Sequence, residues 1–332
     1  MRTRILGKTD LKVTELGLGC QSLGGSFHYK DDKEALAVLS AALDAGINFF
    51  DTADSYALGH SERLIGKALK GRRDKAVITT KAGYVYTRLG TVGQVWGPRL
   101  SFLSPLLRPF RAPLNEARYL FQYRNFSPRH LAGAAEASLR RLETDYVDLF
   151  LLHDPSPKLL EIEEIWQTLE KLKREGKVRH YGISCITEGD AMDFLKRMPV
   201  PVQVTVNLID QEALDGLLPH AAQTGAGIIA RLPFARGLLT GASDTKADQV
   251  TRHPKVIAER KKRAEKFRFL AKEGRSMAQA ALRFVLDQPG ISTVIPGVSR
   301  RAHLKEALAA LDLPALSAEE MAAARETNRP SP

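Results

Sequence analysis

Short apolar runs alternate along this chain with longer stretches whose apolar positions recur at helical spacing. The runs fall at 13–18, 47–52, 76–81, 146–153, 178–184, 202–208, 227–231 and 293–296. A continuous apolar run bounded by turn residues reads as a buried strand. The stretches between them read as helices. Residues 32–45 carry Leu36, Leu39 and Leu43 on one face and stop at Gly46. Residues 61–70 suit a helix with Ser61 as its cap, and Ser127 followed by Pro128 starts another that runs to about Leu142. Residues 161–175 turn Ile162, Ile165, Trp166, Leu169 and Leu172 inward and stop at Gly176. Further helices are predicted at 188–198, near 211–223, at 254–273 (strongly basic), from Ser276 to about Pro289, at 300–311 and at 317–327. Ser276 and Gln279 form a capping-box pattern. Residues 4–13 read as a small hairpin turning at 7–10. Eight strands, most followed by a helix, predict an α/β fold of the (β/α)8 TIM-barrel type. A doubly wound open sheet is the alternative. No linker interrupts the alternation, so residues 1–332 read as one domain.

The rhythm breaks after Lys81. Residues 83–126 form a long insertion after the third strand, rich in Gly, Pro, Arg, Leu and Phe. Arg88, Arg99, Arg108, Arg111, Arg118 and Arg124 face a single acid there, Glu116. Compact domains rarely hold so long a loop without a use. An active-site lid, a partly helical excursion, a partner or membrane contact and a plain insertion all stay open.

Composition narrows the function more than the fold. The 332 residues are 44% hydrophobic and 26% charged, an ordinary globular balance. Two cysteines, Cys20 and Cys185, exclude a disulfide framework and a thiolate metal site. No run has signal-peptide or transmembrane character, which gives the expectation of a cytoplasmic protein. The net charge of +11 is a solvated basic surface or an attraction for acidic ligands. No nucleic-acid motif accompanies it, so no nucleic-acid partner is expected. Oligomeric state leaves no signature.

Candidate chemistry lies where the apolar runs turn polar. The second strand ends at Asp51 with Tyr56 in its loop, the third at Lys81, the fourth at His153. Each alone has an ordinary structural reading: a helix cap, a rim lysine, a satisfied histidine, a loop tyrosine. In a barrel, however, these strands are neighbours and their C-terminal ends share one face. A tyrosine can protonate a carbonyl oxygen when its pKa is brought down from about 10, which a lysine beside it does. A carboxylate would hold that lysine in place. His153 and Asp154 are the one candidate metal-ligand pair, without a further partner motif, so no metal site is expected.

The stretch Gly46-Ile-Asn-Phe-Phe-Asp-Thr-Ala-Asp-Ser-Tyr56, then Gly59-His-Ser-Glu62, Thr79-Thr-Lys81 and Asp145-Tyr-Val-Asp-Leu-Phe-Leu-Leu-His153, resembles the aldo-keto reductase superfamily. Gly176-Lys-Val-Arg-His-Tyr-Gly-Ile-Ser184, Gly237-Leu-Leu-Thr-Gly241 and Ile295-Pro-Gly297 extend the resemblance over nearly the whole chain outside 84–126. It implies a nicotinamide-dependent barrel reductase without metal. Tyr56 would be the general acid, Lys81 would lower its pKa, Asp51 would pair with Lys81, and His153 would orient the substrate carbonyl. Ser184 and Gln203 map onto the nicotinamide carboxamide. Cys185 stands where an asparagine is usual, and Arg231 where an aromatic residue stacks under the nicotinamide. The loop Phe234 to Gly241, with Gly237 in it, would wrap the pyrophosphate.

At the adenine end, Gly297, His303 and Ala307 stand where a basic residue and an asparagine are frequent. Ser299, Arg300 and Arg301 lie close enough to take a 2′-phosphate. The resemblance therefore implies NADP(H), with NAD(H) open, and reduction of a small aldehyde or ketone, or the reverse oxidation of an alcohol. A cofactor-binding regulatory protein on the same barrel is the alternative. Phe27, Tyr29, Tyr84, Tyr86 and Trp96 are candidate walls of the substrate mouth.

Overall fold

Residues 1–23, 32–87, 122–241 and 254–328 are described by the computed structural model. Thr3–Ile5 (β1) and Lys12–Thr14 (β2) make an antiparallel hairpin. Eight parallel strands follow: Leu18–Gly19 (β3), Phe49–Asp51 (β4), Val77–Ala82 (β5), Val147–His153 (β8), Val178–Ser184 (β9), Val202–Thr205 (β10), Ile228–Arg231 (β11) and Ile291–Ile295 (β12). They lie in chain order in one sheet. Gly17 N–H donates to Val294 O at 2.8 Å and Gly19 N–H to Pro296 O at 3.0 Å, which brings the first strand against the last and closes the barrel. β6 (Tyr84–Tyr86) and β7 (Gln122–Arg124) pair antiparallel at the base of the insertion.

Strand alternation sorts the apolar side chains into two cores. Phe49, Val77, Leu149, Leu151, Ile229 and Ile295 point into the barrel, where Leu6, Leu11 and Val13 of the hairpin plug its N-terminal end. Phe50, Ile78, Phe150, Leu152 and Ile183 point outward and pack on the helices. Two residues further along the inward rows come Asp51, Arg231 and His153, and four beyond Val77 comes Lys81. The same period that fills the barrel with hydrophobes therefore aims these four side chains into its C-terminal mouth.

Helices cover the outside at Asp32–Asp44 (α1), His60–Leu69 (α2), Pro128–Leu142 (α3), Glu163–Arg174 (α4), Glu188–Leu195 (α5), Leu217–Thr224 (α6), Pro254–Glu265 (α7), Met277–Leu286 (α8), Arg301–Ala309 (α9) and Ala318–Thr327 (α10). The Ser127 cap and the Ser276–Gln279 capping box form as the sequence implied. No helix among the described residues is long and apolar enough to cross a membrane.

Several boundaries differ from the sequence reading: the strand predicted at 202–208 ends at Thr205, the helix near 211–223 begins at Leu217, and the helix at 188–198 ends at Leu195. The run 13–18 is not one strand. Thr14 is tied to the Asn48 side chain at 2.8 Å, Val13 goes into the plug, and the barrel strand is Leu18–Gly19. Gly59, with φ of 79°, caps α2 instead of Ser61. Ser61 is buried and donates to Cys20 O at 3.0 Å. The basic helix ends at Glu265, followed by a single turn at Arg268–Leu270. The readings placed on 88–121, with Trp96 and five of the insertion arginines, and those on Phe27 and Tyr29, fall outside the described residues.

Candidate active site

Lys81 is completely buried, a position a lysine holds only with its charge matched. Its Nζ donates to Asp51 Oδ2 at 2.8 Å, to Thr52 O at 2.8 Å and to Tyr56 Oη at 3.3 Å. All three ammonium protons are thus directed. Asp51 is held in turn by Gln203, whose Nε2 donates to Oδ1 at 2.6 Å. Ser184 Oγ donates to Gln203 Oε1 at 3.0 Å. A chain of buried polar groups therefore runs from β9 through β10 and β4 to β5 and ends on the tyrosine. His153 stands with its ring 5.9 Å from that of Tyr56 and nearly perpendicular to it. The four residues singled out in the sequence come together at one spot.

The electrostatics refine one expectation. Burial raises the Tyr56 pKa and outweighs Lys81, the largest lowering influence, so the net direction is upward. Lys81 acts against that rise rather than producing a net fall. For Lys81 itself burial pulls downward, but Asp51 and Tyr56 overcome it and the ammonium is reinforced. His153 is driven well below its ordinary value, by burial first and then by Lys81 and Arg231. It is a neutral imidazole at physiological pH, and its Nδ1 is buried without a partner among the described residues.

Backbone strain gathers at the same face. Apart from Glu143, which ends a helix, every described non-glycine residue with positive φ lies in a loop at the strands' C-terminal ends. Ala57 and Leu58 follow Tyr56, Asp154 follows His153, and Leu232, Ala235 and Arg236 follow β11. Such conformations cost roughly 1–3 kcal/mol each and concentrate where loops are shaped for a task. Gly59 completes the first loop: a Cβ there would lie 2.4 Å from Arg141 Cδ.

Three features were not legible beforehand. Gln203 belongs to the Asp51 network, with its amide donor already engaged. Asp154 clasps the insertion to the site: its Oδ2 accepts from Tyr84 Oη at 3.0 Å and from Arg124 at 2.7 Å. Tyr84 in turn packs its ring 4.7 Å from His153. Glu62 is buried beneath the Tyr56 loop, accepting from Thr80 Oγ1 at 2.6 Å and from Arg141 Nε at 2.5 Å. The sequence points to Gln203, Asp154, Tyr84, Arg124 and Glu62 as residues, but in other roles, and it gives no signal for these contacts.

The residues mapped to a cofactor line the rest of the mouth and one edge. Arg231 Nη2 donates to Cys185 O at 2.9 Å. Phe234 and Gly237 lie in the strained loop after β11. Gly297 bridges to Gly19 beside the first strand. Ser299 Oγ lies 3.1 Å from His303 Nδ1. Arg300 caps α9 without a side-chain cap bond, and Arg301 lies 3.8 Å from Glu34. Basic side chains around the start of α9 suit a phosphate group, although its Arg301 N–H already donates to Glu34 Oε1 at 3.2 Å, and the buried Ser184–Gln203 pair keeps acceptor lone pairs for an amide. These residues fit a nicotinamide dinucleotide.

A closed parallel barrel with a buried Lys–Asp–Tyr network at its C-terminal mouth is the frame of a barrel enzyme. The aldo/keto reductase family pattern matches residues 15–329, and the chain belongs to this family of oxidoreductases. It is 31% identical over 327 residues to the oxidoreductase YqkF of Bacillus subtilis, covering 97% of this chain and 95% of that protein. It is 28% identical over 325 residues to an NADH-specific methylglyoxal reductase of Escherichia coli, covering 93% of each. An aldo-keto reductase from Bacillus halodurans superposes with a TM-score of 0.78 at 28% identity, over 99% of this chain and 97% of that one.

Proposed function

We propose that the chain, working as one barrel unit, reduces a small aldehyde or ketone to an alcohol with NADP(H). The observation that carries this is the contact of one buried ammonium with both a carboxylate and the tyrosine hydroxyl, at 2.8 and 3.3 Å. The bound coenzyme supplies the hydride, which no side chain can give. Tyr56 passes its proton to the carbonyl oxygen as negative charge builds there. Lys81 stabilises the resulting tyrosinate, and Asp51 with Thr52 O keeps Lys81 aimed at it. Neutral His153 offers a hydrogen bond to the same oxygen and orients the carbonyl. Ser184 and Gln203 would hold the carboxamide, Arg231 would face the nicotinamide, and Phe234 and Gly237 would hold the pyrophosphate. Gly297, Ser299, Arg300, Arg301 and His303 take the adenosine end. Arg300 and Arg301 favour NADP(H). The Glu34 carboxylate beside Arg301 weakens that preference, and one relative is an NADH-specific reductase.

The test is oxidation of NADPH, then NADH, against a panel of carbonyl compounds, with native protein and Tyr56→Phe. Turnover that falls by about 10²–10⁴-fold in the variant supports the proton-donor role. Tight NADPH binding with no carbonyl reduced would favour a regulatory coenzyme binder instead. Absence of binding by both coenzymes would refute the reading.

A further inference from the structure

We propose that Arg231 presents an anion-recognising edge at the barrel mouth that selects carbonyl substrates carrying a carboxylate. This rests on the reductase reading and names the substrate class for it. Arg231 ends β11 in register with Thr205 and Ile295, two residues beyond the inward-facing Ile229. Its side chain therefore enters the barrel mouth. From there Nη2 reaches across β10 to Cys185 O, just past the end of β9. That bond fixes the plane of the guanidinium.

One donor is left over. The Nε of Arg231 is buried and has no partner among the described residues. A dehydrated, charged donor left unpaired is costly, and native structures seldom keep one without a use. The carboxylates nearby are already committed. Asp51 is taken by Lys81 and Gln203, and Asp154 by Tyr84, Arg124 and the Ile186 N–H. No ion pair involves Arg231 among the described residues. Its charge reaches Tyr56, His153 and Tyr84, the groups that surround the reacting carbonyl. Arg231 as a whole is only partly buried, and a guanidinium matches a carboxylate in shape and charge.

The experiment compares para-carboxybenzaldehyde with its methyl ester, which share the reacting group and differ in charge. Native protein should favour the acid by about tenfold in kcat/KM, in line with a charge-assisted hydrogen bond. Arg231→Met should erase that ratio, and Arg231→Lys should keep part of it. Benzoate binding by calorimetry, with benzamide as control, reads the same edge without turnover and should weaken by a similar factor in Arg231→Met. Equal rates for acid and ester in native protein, or a preference that survives in Arg231→Met, would overturn the proposal. So would a loss common to both aldehydes that tracks weaker NADPH binding, which would make Arg231 a coenzyme residue only. A stronger preference for a phosphate-bearing aldehyde would overturn the carboxylate assignment. If benzoate binds through Arg231 but neither aldehyde is reduced, the edge stands and the reductase reading falls.

Discussion

Asp54 offers the most quantitative test of how the site is built. It lies between Asp51 and Tyr56, and its N–H donates to Lys81 O at 3.0 Å. Its Oδ1 is shielded from solvent and has no partner among the described residues. The neighbouring Glu62 already takes Arg141 and Thr80, while Lys81 directs its ammonium at Asp51 and Tyr56. Burial, and then the Glu62 charge, push the Asp54 carboxyl up from 3.8 to about 8. The native chain therefore holds one more proton here than the unfolded chain between those two values. The stabilising contribution of the neutral carboxyl is complete below the unfolded value and is lost as pH climbs through the folded one. Each pH unit in that window removes about 1.4 kcal/mol, so some 3 kcal/mol disappears between about pH 5.5 and pH 8. Asp54→Asn replaces the protonated carboxyl by a neutral group of the same shape and removes this dependence. Urea unfolding of native and variant protein at about pH 5.5 and pH 8.5, read at equal m, isolates the effect from every other titrating group. The variant should gain roughly 3 kcal/mol relative to native protein between the two conditions. A native–variant difference that does not move with pH would mean that Asp54 ionises normally and that the pocket under the Tyr56 loop is wetter than described.

His153 should remain neutral down to low pH, so kcat/KM should show no acid limb near 6.5 that disappears in His153→Gln; such a limb in a pH–rate profile would contradict the buried-imidazole account. Asp148 is buried and accepts from Arg73, Arg179 and the Ile78 N–H; Asp148→Ala should cost about 3 kcal/mol in chemical denaturation, because it strands those donors. A Cβ on Gly182 would lie 2.2 Å from Pro201 O, so Gly182→Ala should lose about 3 kcal/mol or fail to fold. Ser276→Ala breaks the capping box of α8 and should lower stability by about 1 kcal/mol, measured as a shift in the urea midpoint.

The barrel and the heart of the site were legible in the sequence because both rest on local patterns. Buried strands are short apolar runs, and a period of two fixes which residues share a face. Asp51, Lys81 and His153 each interrupt such a run at its end, on the inward row. Tyr56 follows in the adjoining loop. No distant contact is needed to place these four. The hairpin at the N-terminus was equally visible as a turn flanked by apolar residues. What it does was not, because plugging a barrel depends on where the strands' lower ends meet.

The rest was decided by tertiary structure. Gln203 meets Asp51 across 152 residues, a pairing no spacing rule reaches. The direction of the Tyr56 pKa is the balance of burial and the Asp51 charge, which raise it, against Lys81 and Arg231, which lower it, and burial exists only once the barrel has closed. Asp154 becomes the clasp of the insertion because β6 and β7 carry Tyr84 and Arg124 to it from either side of the excursion. Arg231 has no ion pair among the described residues because folding commits Asp51 and Asp154 elsewhere. The sequence determined which side chains stand at the barrel mouth, since alternation along a strand is a local property. Folding decided which of them are satisfied and which are left to act on a ligand, since partnership and dehydration are set by segments far apart in the chain.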